Sequence, residues 1–477
     1  MIRRSLLLVL AAVGLNVSGE AREWRYARDS GSLKELIARA MPGDTIVVEG
    51  PVHEGTITID KPLTLLGNRL AVIDGGEVGH VIEVKAHDVV LRGLTIRGSL
   101  VSNLYDYAGI KVTDAHRTVI EGNTLDRCFF AIYLAGAQDA RIIGNTVIGD
   151  DVKEERMANG IHLWKCSGAV IDGNRIERHR DGIYFEFVTD SRIERNEARH
   201  CLRYGLHFMF SHRDAYTDNI FEENGAGVAV MFSHHITMTG NRFAANRGGS
   251  AYGLLLKEIN DGEILRNTFT DNTTGIMVDG CNRIHVEDNL FRLNGWALRL
   301  YANATACTFL RNTFSGNTFD VSTNGSLMLN RMEGNYWDRY AGYDLDRDGH
   351  GDVPHRPLGF FTMLVERMPH ALVFSRSLFV SLLDRAEQVV PSLAPDALKD
   401  DRPLMRPPGR GAKSVAYQRR DPRSAFYILH SAYCIQPKPW QNVECKMKNA
   451  ECRMDGPRVG PCRSCSFPPT SLPPTHG

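Results

Sequence analysis

Residues 204–214, YGLHFMFSHRD, and residues 226–236, AGVAVMFSHHI, run in register 22 positions apart: a small residue, alternating apolar positions, then Met-Phe-Ser-His. The front half of this element recurs along the chain as AGIKV, FAIYL, NGIHL, DGIYF, YGLHF, AGVAV, YGLLL, TGIMV and WALRL. Its small residue falls at Gly109, Ala131, Gly160, Gly182, Gly205, Gly227, Gly253, Gly275 and Ala297, in steps of 22, 29, 22, 23, 22, 26, 22 and 22. Between these lies a second element with Asn at 123, 145, 174, 196, 219, 241, 267, 289 and 312, often as Gly-Asn. A fixed period in this range marks a solenoid. Runs of three to five β-branched and aromatic residues punctuated by Gly and Asn mark its coils as β. The expected fold is an all-β, right-handed parallel β-helix with one coil per repeat and a short helical segment near the C-terminus.

Successive side chains of a strand point to opposite faces. The first and third residues after each small residue are apolar in all nine strands, so they face the core and the second and fourth face outward. The outward set contains His207, Met209 and Met231, and His212 and His234 follow at the seventh position. Two methionines one strand spacing apart beside two stacked histidines form a thioether and imidazole donor set, which favours copper, and Cu(I) above all. The alternative is that these side chains fill an apolar patch beneath a loop or against a partner, a use to which Met is well suited. The Asn column is expected in a turn, with its amides bonded along the ladder and its backbone in an unusual conformation.

At the N-terminus, Met1-Ile-Arg-Arg, an apolar run from Leu6 to Leu15 and small residues near Gly19 and Ala21 predict a secretory signal over residues 1–21 and a location outside the cytoplasm. SLKELIARAM, residues 32–41, has helical spacing and could cap the first coil of a solenoid expected over 22–342. Beyond it, residues 343–358 carry Asp344, Asp346, Asp348 and Asp352 in a D-x-D-x-D-G pattern that suggests a calcium loop, although position twelve is His355 where a bidentate Glu is usual. Residues 359–407 read as a helical docking segment broken at Pro369, too interrupted by charge to span a bilayer. Residues 408–477 form a basic, Pro-rich tail with Cys434, Cys445, Cys452, Cys462 and Cys465, expected to be disordered or disulfide-tied.

Fifty-six Lys plus Arg balance 56 Asp plus Glu, which argues against nucleic acid as a partner. The body cysteines Cys128, Cys166, Cys201, Cys281 and Cys307 show no zinc spacing and read as small buried apolar residues. Sugar-active enzymes also use the outer face of β-helices, and Glu186, Asp279 and Asp214 with Arg213 are the candidates for such chemistry. They are not clustered in one register, and an enzyme is not the expected reading.

The opening MPGDTIVVEG, the repeated Gly-Asn coils, LHFMFSHRD, VMFSHH, the closing GNYWDRYAGYDLDRDGHGDVPHRP and the later DDRPLMRP together resemble the NosD family, periplasmic proteins of nitrous oxide reductase maturation. The resemblance spans about residues 1–407. It implies a non-enzymatic β-helix seated on an ABC transporter made of a permease (NosY) and a cytoplasmic ATPase (NosF). It further implies work with a copper lipoprotein chaperone (NosL) on the copper sites of nitrous oxide reductase. His207, Met209, His212, Met231 and His234 are then the expected copper ligands, and the helical segment the expected contact with the permease.

Overall fold

A computed structural model describes residues 21–27, 31–68, 70–150, 157–327, 329–375, 377–389 and 398–408. Apart from Ala21 and Pro408, the expected signal peptide and tail lie outside these residues. Each repeat folds as one coil with three strands. In the coil of the quoted stretch these are Tyr204–Met209, Ala215–Thr217 and Ile220–Glu222, each paired in parallel with its counterparts one coil before and after. Among the described residues, stacking the coils builds three sheets of 14, 12 and 13 strands around one core. The chain is a parallel β-helix, as the repeat predicts.

The turns explain the Gly-Asn signature, with one correction. The buried Asn residues form a ladder from Asn123 to Asn335; at Asn196, for example, the backbone N–H and Nδ2 donate to Oδ1 of Asn219 at 2.9 and 3.0 Å. The left-handed residue is the one before the Asn, not the Asn itself: Gly122, Gly144, Gly173, Gly240 and Gly334, and elsewhere Arg195, Asp218, Arg266, Asp288 and Arg311, all have φ between 49° and 69°. Gly adopts that conformation without steric cost. The buried Asn must keep ordinary angles so that its amide lies along the ladder. A second buried ladder, Asn224, Asn246, Asn272, Asn294 and Asn317, runs beside it and ends on Asp320.

Asp320 is buried, and burial pushes its pKa up to about 6, while Asn317 Nδ2 donates to it at 3.1 Å. Because the folded value exceeds the unfolded one, this group's stabilisation is lost as pH rises from about 4 to 6, on the order of 3 kcal/mol in all. Asp320→Asn keeps an acceptor for Asn317 and has no proton to lose. It is expected to be more stable than the native chain at pH 7 and equal to it at pH 4, as read from urea midpoints at both pH values.

Both ends of the solenoid are covered. At the start, helix α1 (Leu33–Arg39) is capped by Ser32 and buries Leu33 and Ile37 over the first coil. Toward the other end, helix α2 (Phe360–Arg367), a 3-10 turn (Pro369–Phe374) and helix α3 (Leu378–Val389) follow the Asp-rich loop. Phe361, Val365, Ala371, Leu372 and Val380 pack with Trp296 and Phe319 of the 12-stranded sheet. Glu366 accepts a bidentate hydrogen bond from Arg299 at 3.1 and 2.8 Å and a third from Ser322 Oγ at 2.8 Å. The helical segment is thus fixed to the sheet that carries Met209 and Met231. No described helix is long and apolar enough to cross a membrane. The five body cysteines are buried and free, with thiol pKa values raised by burial.

Candidate metal centre

The repeated Met-Phe-Ser-His is a set of columns. Met209 and Met231 are direct register partners on strands Tyr204–Met209 and Ala226–Met231. Phe210 and Phe232 turn the corner with positive φ, and Phe210 stacks between Phe187 and Phe232, with ring centroids 5.3 and 5.2 Å away. Ser233 Oγ accepts the backbone N–H of Ser211 at 3.2 Å, and Ser211 Oγ that of Val188 at 3.1 Å, so the serines satisfy the buried corner. His212 and His234 stack face to face, 3.8 Å between centroids and 9° between planes.

The methionines are not on an open face. Met231 is buried and Met209 half-buried, in an apolar cluster with Ala226, Ala229, Tyr252 and Leu255, flanked by Tyr204, Phe232 and Met277. The covering Tyr252 lies at the end of the extra residues that lengthen this repeat from 22 to 26. Farther up the same sheet His162 is also buried, packed against Phe130 and hydrogen-bonded to Asn159, next to the 29-residue repeat's own insertion. The expectation of an exposed Met-His patch is corrected accordingly: Ala158 and Tyr252, described residues of the two long repeats, pack over this sheet. For the methionines, the sequence alternative of an apolar patch beneath a loop describes the surroundings. Whether such a patch can take a soft ion rests on the histidines.

Those differ in what their ring nitrogens do. His207 lies on the same strand as Met209, two residues away, with Nδ1 3.8 Å from Oδ2 of Asp181. Its Nε2 is buried without a hydrogen-bond partner among the described residues. A ring whose Nδ1 proton faces a carboxylate presents a lone pair at Nε2, the arrangement of most metal-bound histidines. His212 is committed differently: its Nδ1 accepts the backbone N–H of His234 at 3.3 Å, which puts the proton of the neutral ring on Nε2. His87 and His116, far from any methionine of this cluster, accept the next coil's N–H in the same way at 2.9 and 3.1 Å. His212 therefore acts as a ladder residue in this conformation. Burial, then His234 and Arg213, hold its pKa below the ordinary value where it stacks on His234. His234 Nδ1 faces His235 Nδ1 at 2.9 Å, one of them donating, and its Nε2 makes no hydrogen bond among the described residues.

The candidates for sugar chemistry stay apart. Glu186 and Asp279 occupy the same outward column four strands apart, about 19 Å at the spacing of parallel strands. That exceeds the separation of paired glycosidase carboxylates. Asp214 is buried, and Arg213 is clamped by Asp190 at 2.7 and 2.8 Å.

In the Asp-rich loop, Asp344, Asp346 and Asp348 bring carboxylate oxygens within 4.8 Å of one another. Much of their capacity is used locally: Asp344 accepts from Asp348 and Gly349 N–H groups, and Asp348 pairs with Arg402 at 2.6 Å. Asp352 accepts from Leu345 N–H, and His355 at position twelve packs at a tilt against Trp337 with its pKa depressed by burial to about 4. The loop has three converging carboxylates and no bidentate fourth.

Residues 144–342 match the family described as "Periplasmic copper-binding protein (NosD)". A Pseudomonas aeruginosa protein named "Probable ABC transporter binding protein NosD" is 31% identical over 378 residues, which cover 75% of this chain and 87% of that one. The chain belongs to the NosD family. A second NosD, from Stutzerimonas stutzeri and of the same name, is 28% identical over 393 residues, covering 78% of this chain and 88% of that one. Among solved structures, a family 28 exopolygalacturonase of Yersinia enterocolitica superposes with a TM-score of 0.54 at 10% identity, over 66% of this chain and 79% of its own. That likeness shows the β-helix alone. The NosD relatives are named as binding proteins, and no relative's name assigns a ligand residue.

Proposed function

We propose that this member of the NosD family is a non-enzymatic periplasmic subunit of an ABC-transporter complex that binds Cu(I) as cargo and relays it toward the copper sites of nitrous oxide reductase. The observation that carries this reading is His207 Nε2, buried and without a hydrogen-bond partner among the described residues, two residues from Met209 on a strand whose neighbour presents Met231 in register. One imidazole and two thioethers are a neutral, soft donor set suited to Cu(I). His234 stands at the rim as an exit ligand, and His212 holds it in place. Copper would arrive from a NosL-like lipoprotein chaperone and leave as Tyr252 gives way.

The helical segment is the natural contact with a NosY-like permease coupled to a NosF-like ATPase. Phe374, Leu378, Phe379 and Leu382 are each more than half exposed, and the last three follow one side of α3 while Val380 is buried. Phe374→Asp/Leu378→Asp/Phe379→Asp is expected to abolish co-purification with the permease and leave Cu(I) binding unchanged. Undiminished co-purification would remove the helical segment from the interface. The Asp344–Asp346–Asp348 loop is proposed as a weak structural calcium site. Millimolar Ca²⁺ is expected to raise the melting temperature by a few degrees, and an unchanged melting curve refutes it.

A further inference from the structure

Asp181 was not among the sequence candidates, and its surroundings are chemically unusual. It opens the strand Asp181–Glu186, one coil before His207, and is 3% exposed. Among the described residues its Oδ1 has no hydrogen-bond partner, and the one ionic group within 4 Å of its Oδ2 is His207 Nδ1, at 3.8 Å. A buried carboxyl oxygen is stabilised by a hydrogen-bond donor beside it, and among the described residues the ring N–H of His207 stands nearest. The other ring nitrogen of the same histidine is the unpartnered Nε2. Tyr184 and Tyr204 flank the ring, centroids 5.1 and 4.7 Å away, and hold its plane.

We propose that Asp181 is the positioning residue of the copper site: its carboxyl oxygen accepts a hydrogen bond from Nδ1–H of His207 and so fixes the tautomer with a free lone pair on Nε2. This rests on the reading of His207, Met209 and Met231 as the Cu(I) donors. The same carboxylate–histidine pairing orients metal ligands generally, and its loss weakens metal affinity by about 10–100-fold. Asp181 touches no metal in this account; it acts through His207.

The test uses the full periplasmic chain with ¹⁵N-labelled histidine and no metal. Long-range ¹H–¹⁵N correlation reports the tautomer of each ring, with His207 assigned through His207→Gln. The expected result is a proton on Nδ1 of His207 in the native protein and in Asp181→Asn, whose Oδ1 still accepts, and a proton largely on Nε2 in Asp181→Leu. Cu(I) affinity should follow: within a few-fold of native for Asp181→Asn, and about 10–100-fold weaker for Asp181→Leu. A native His207 protonated on Nε2 overturns the proposal whether or not the leucine variant folds. So does an Asp181→Leu protein with unchanged tautomer and affinity. If the native chain binds no Cu(I), or binds it without Met209 and Met231, the copper reading itself fails, and the tautomer measurement still decides the Asp181–His207 pairing.

Discussion

Met209→Leu/Met231→Leu is expected to lower Cu(I) affinity at least ~100-fold while leaving the β-helix folded. Leucine nearly conserves the volume of methionine, so the cluster with Tyr252 and Leu255 repacks at a cost below about 1.5 kcal/mol per site. What disappears is both sulfur atoms, which leaves one imidazole where a low-coordinate soft ion needs two or three donors. Each tenfold loss corresponds to about 1.4 kcal/mol of binding free energy, so two thioether bonds of modest strength suffice for the predicted drop. His212→Ala, by contrast, removes a ladder ring and is expected to change affinity by only a few-fold. Competition against a chromophoric Cu(I) chelator, with melting curves in parallel, separates these outcomes. Equal affinity in the native and double-leucine proteins would leave the methionines as packing alone.

The second large effect is structural. Asp400→Ala is expected to open the C-terminal end of the solenoid at a cost of about 5 kcal/mol, because the fully buried carboxylate satisfies five donors at once. Gly334 and Arg402 backbone N–H groups donate to Oδ1 at 3.0 and 3.2 Å, and Asn335 N–H, Asn335 Nδ2 and Trp337 Nε1 donate to Oδ2 at 2.9, 3.0 and 3.1 Å. Asp400 takes the place the next asparagine would occupy and ends the ladder on an all-acceptor group. Its segment also bridges to Met332 and His355, and Leu404 to Tyr336 and His350, so it holds both the last coil and the Asp-rich loop. Hydrogen exchange is the measurement: protection of Gly334 and Asn335 should fall by nearly four orders of magnitude, at about 1.4 kcal/mol per tenfold, while that of the central coils stays unchanged. Unchanged protection at Asn335 would contradict this role. Because α2 and α3 lie between these two anchored segments, the same variant should also weaken any transporter contact made by α3.

The period, the inward apolar positions and the Met209–Met231 register could be read from the sequence, because a solenoid repeats its local chemistry in every coil. Three things could not. The strained turn conformation belongs to the residue before each asparagine, and Arg195 or Arg311 at that position carries no signature of positive φ, whereas Gly122 or Gly144 does. The burial of Met231 depends on where residues inserted beyond the 22-residue step come to rest, and only the step lengths of 26 and 29 hint at a cover. Ligand competence depends on which atom of the neighbouring coil faces each Nδ1, which no strand pattern encodes. A hint did exist for His212: Ala86-His87, Ala115-His116 and Ser211-His212 share a small residue before the histidine, and all three rings serve the same turn. Asp181 was hidden because it precedes the small residue, a position that is Ala, Phe, Asn, Tyr, Thr or Trp elsewhere in the repeat.

X-ray absorption at the copper edge of the Cu(I)-loaded periplasmic chain tests the central claim most directly, since it counts sulfur and nitrogen neighbours of the ion itself. The account predicts two thioether sulfurs and one imidazole nitrogen, with the sulfur shell lost in Met209→Leu/Met231→Leu and the imidazole signature lost in His207→Gln. A first shell of nitrogen and oxygen alone, unchanged in both variants, would contradict it and place copper away from the Met-Phe-Ser-His coils.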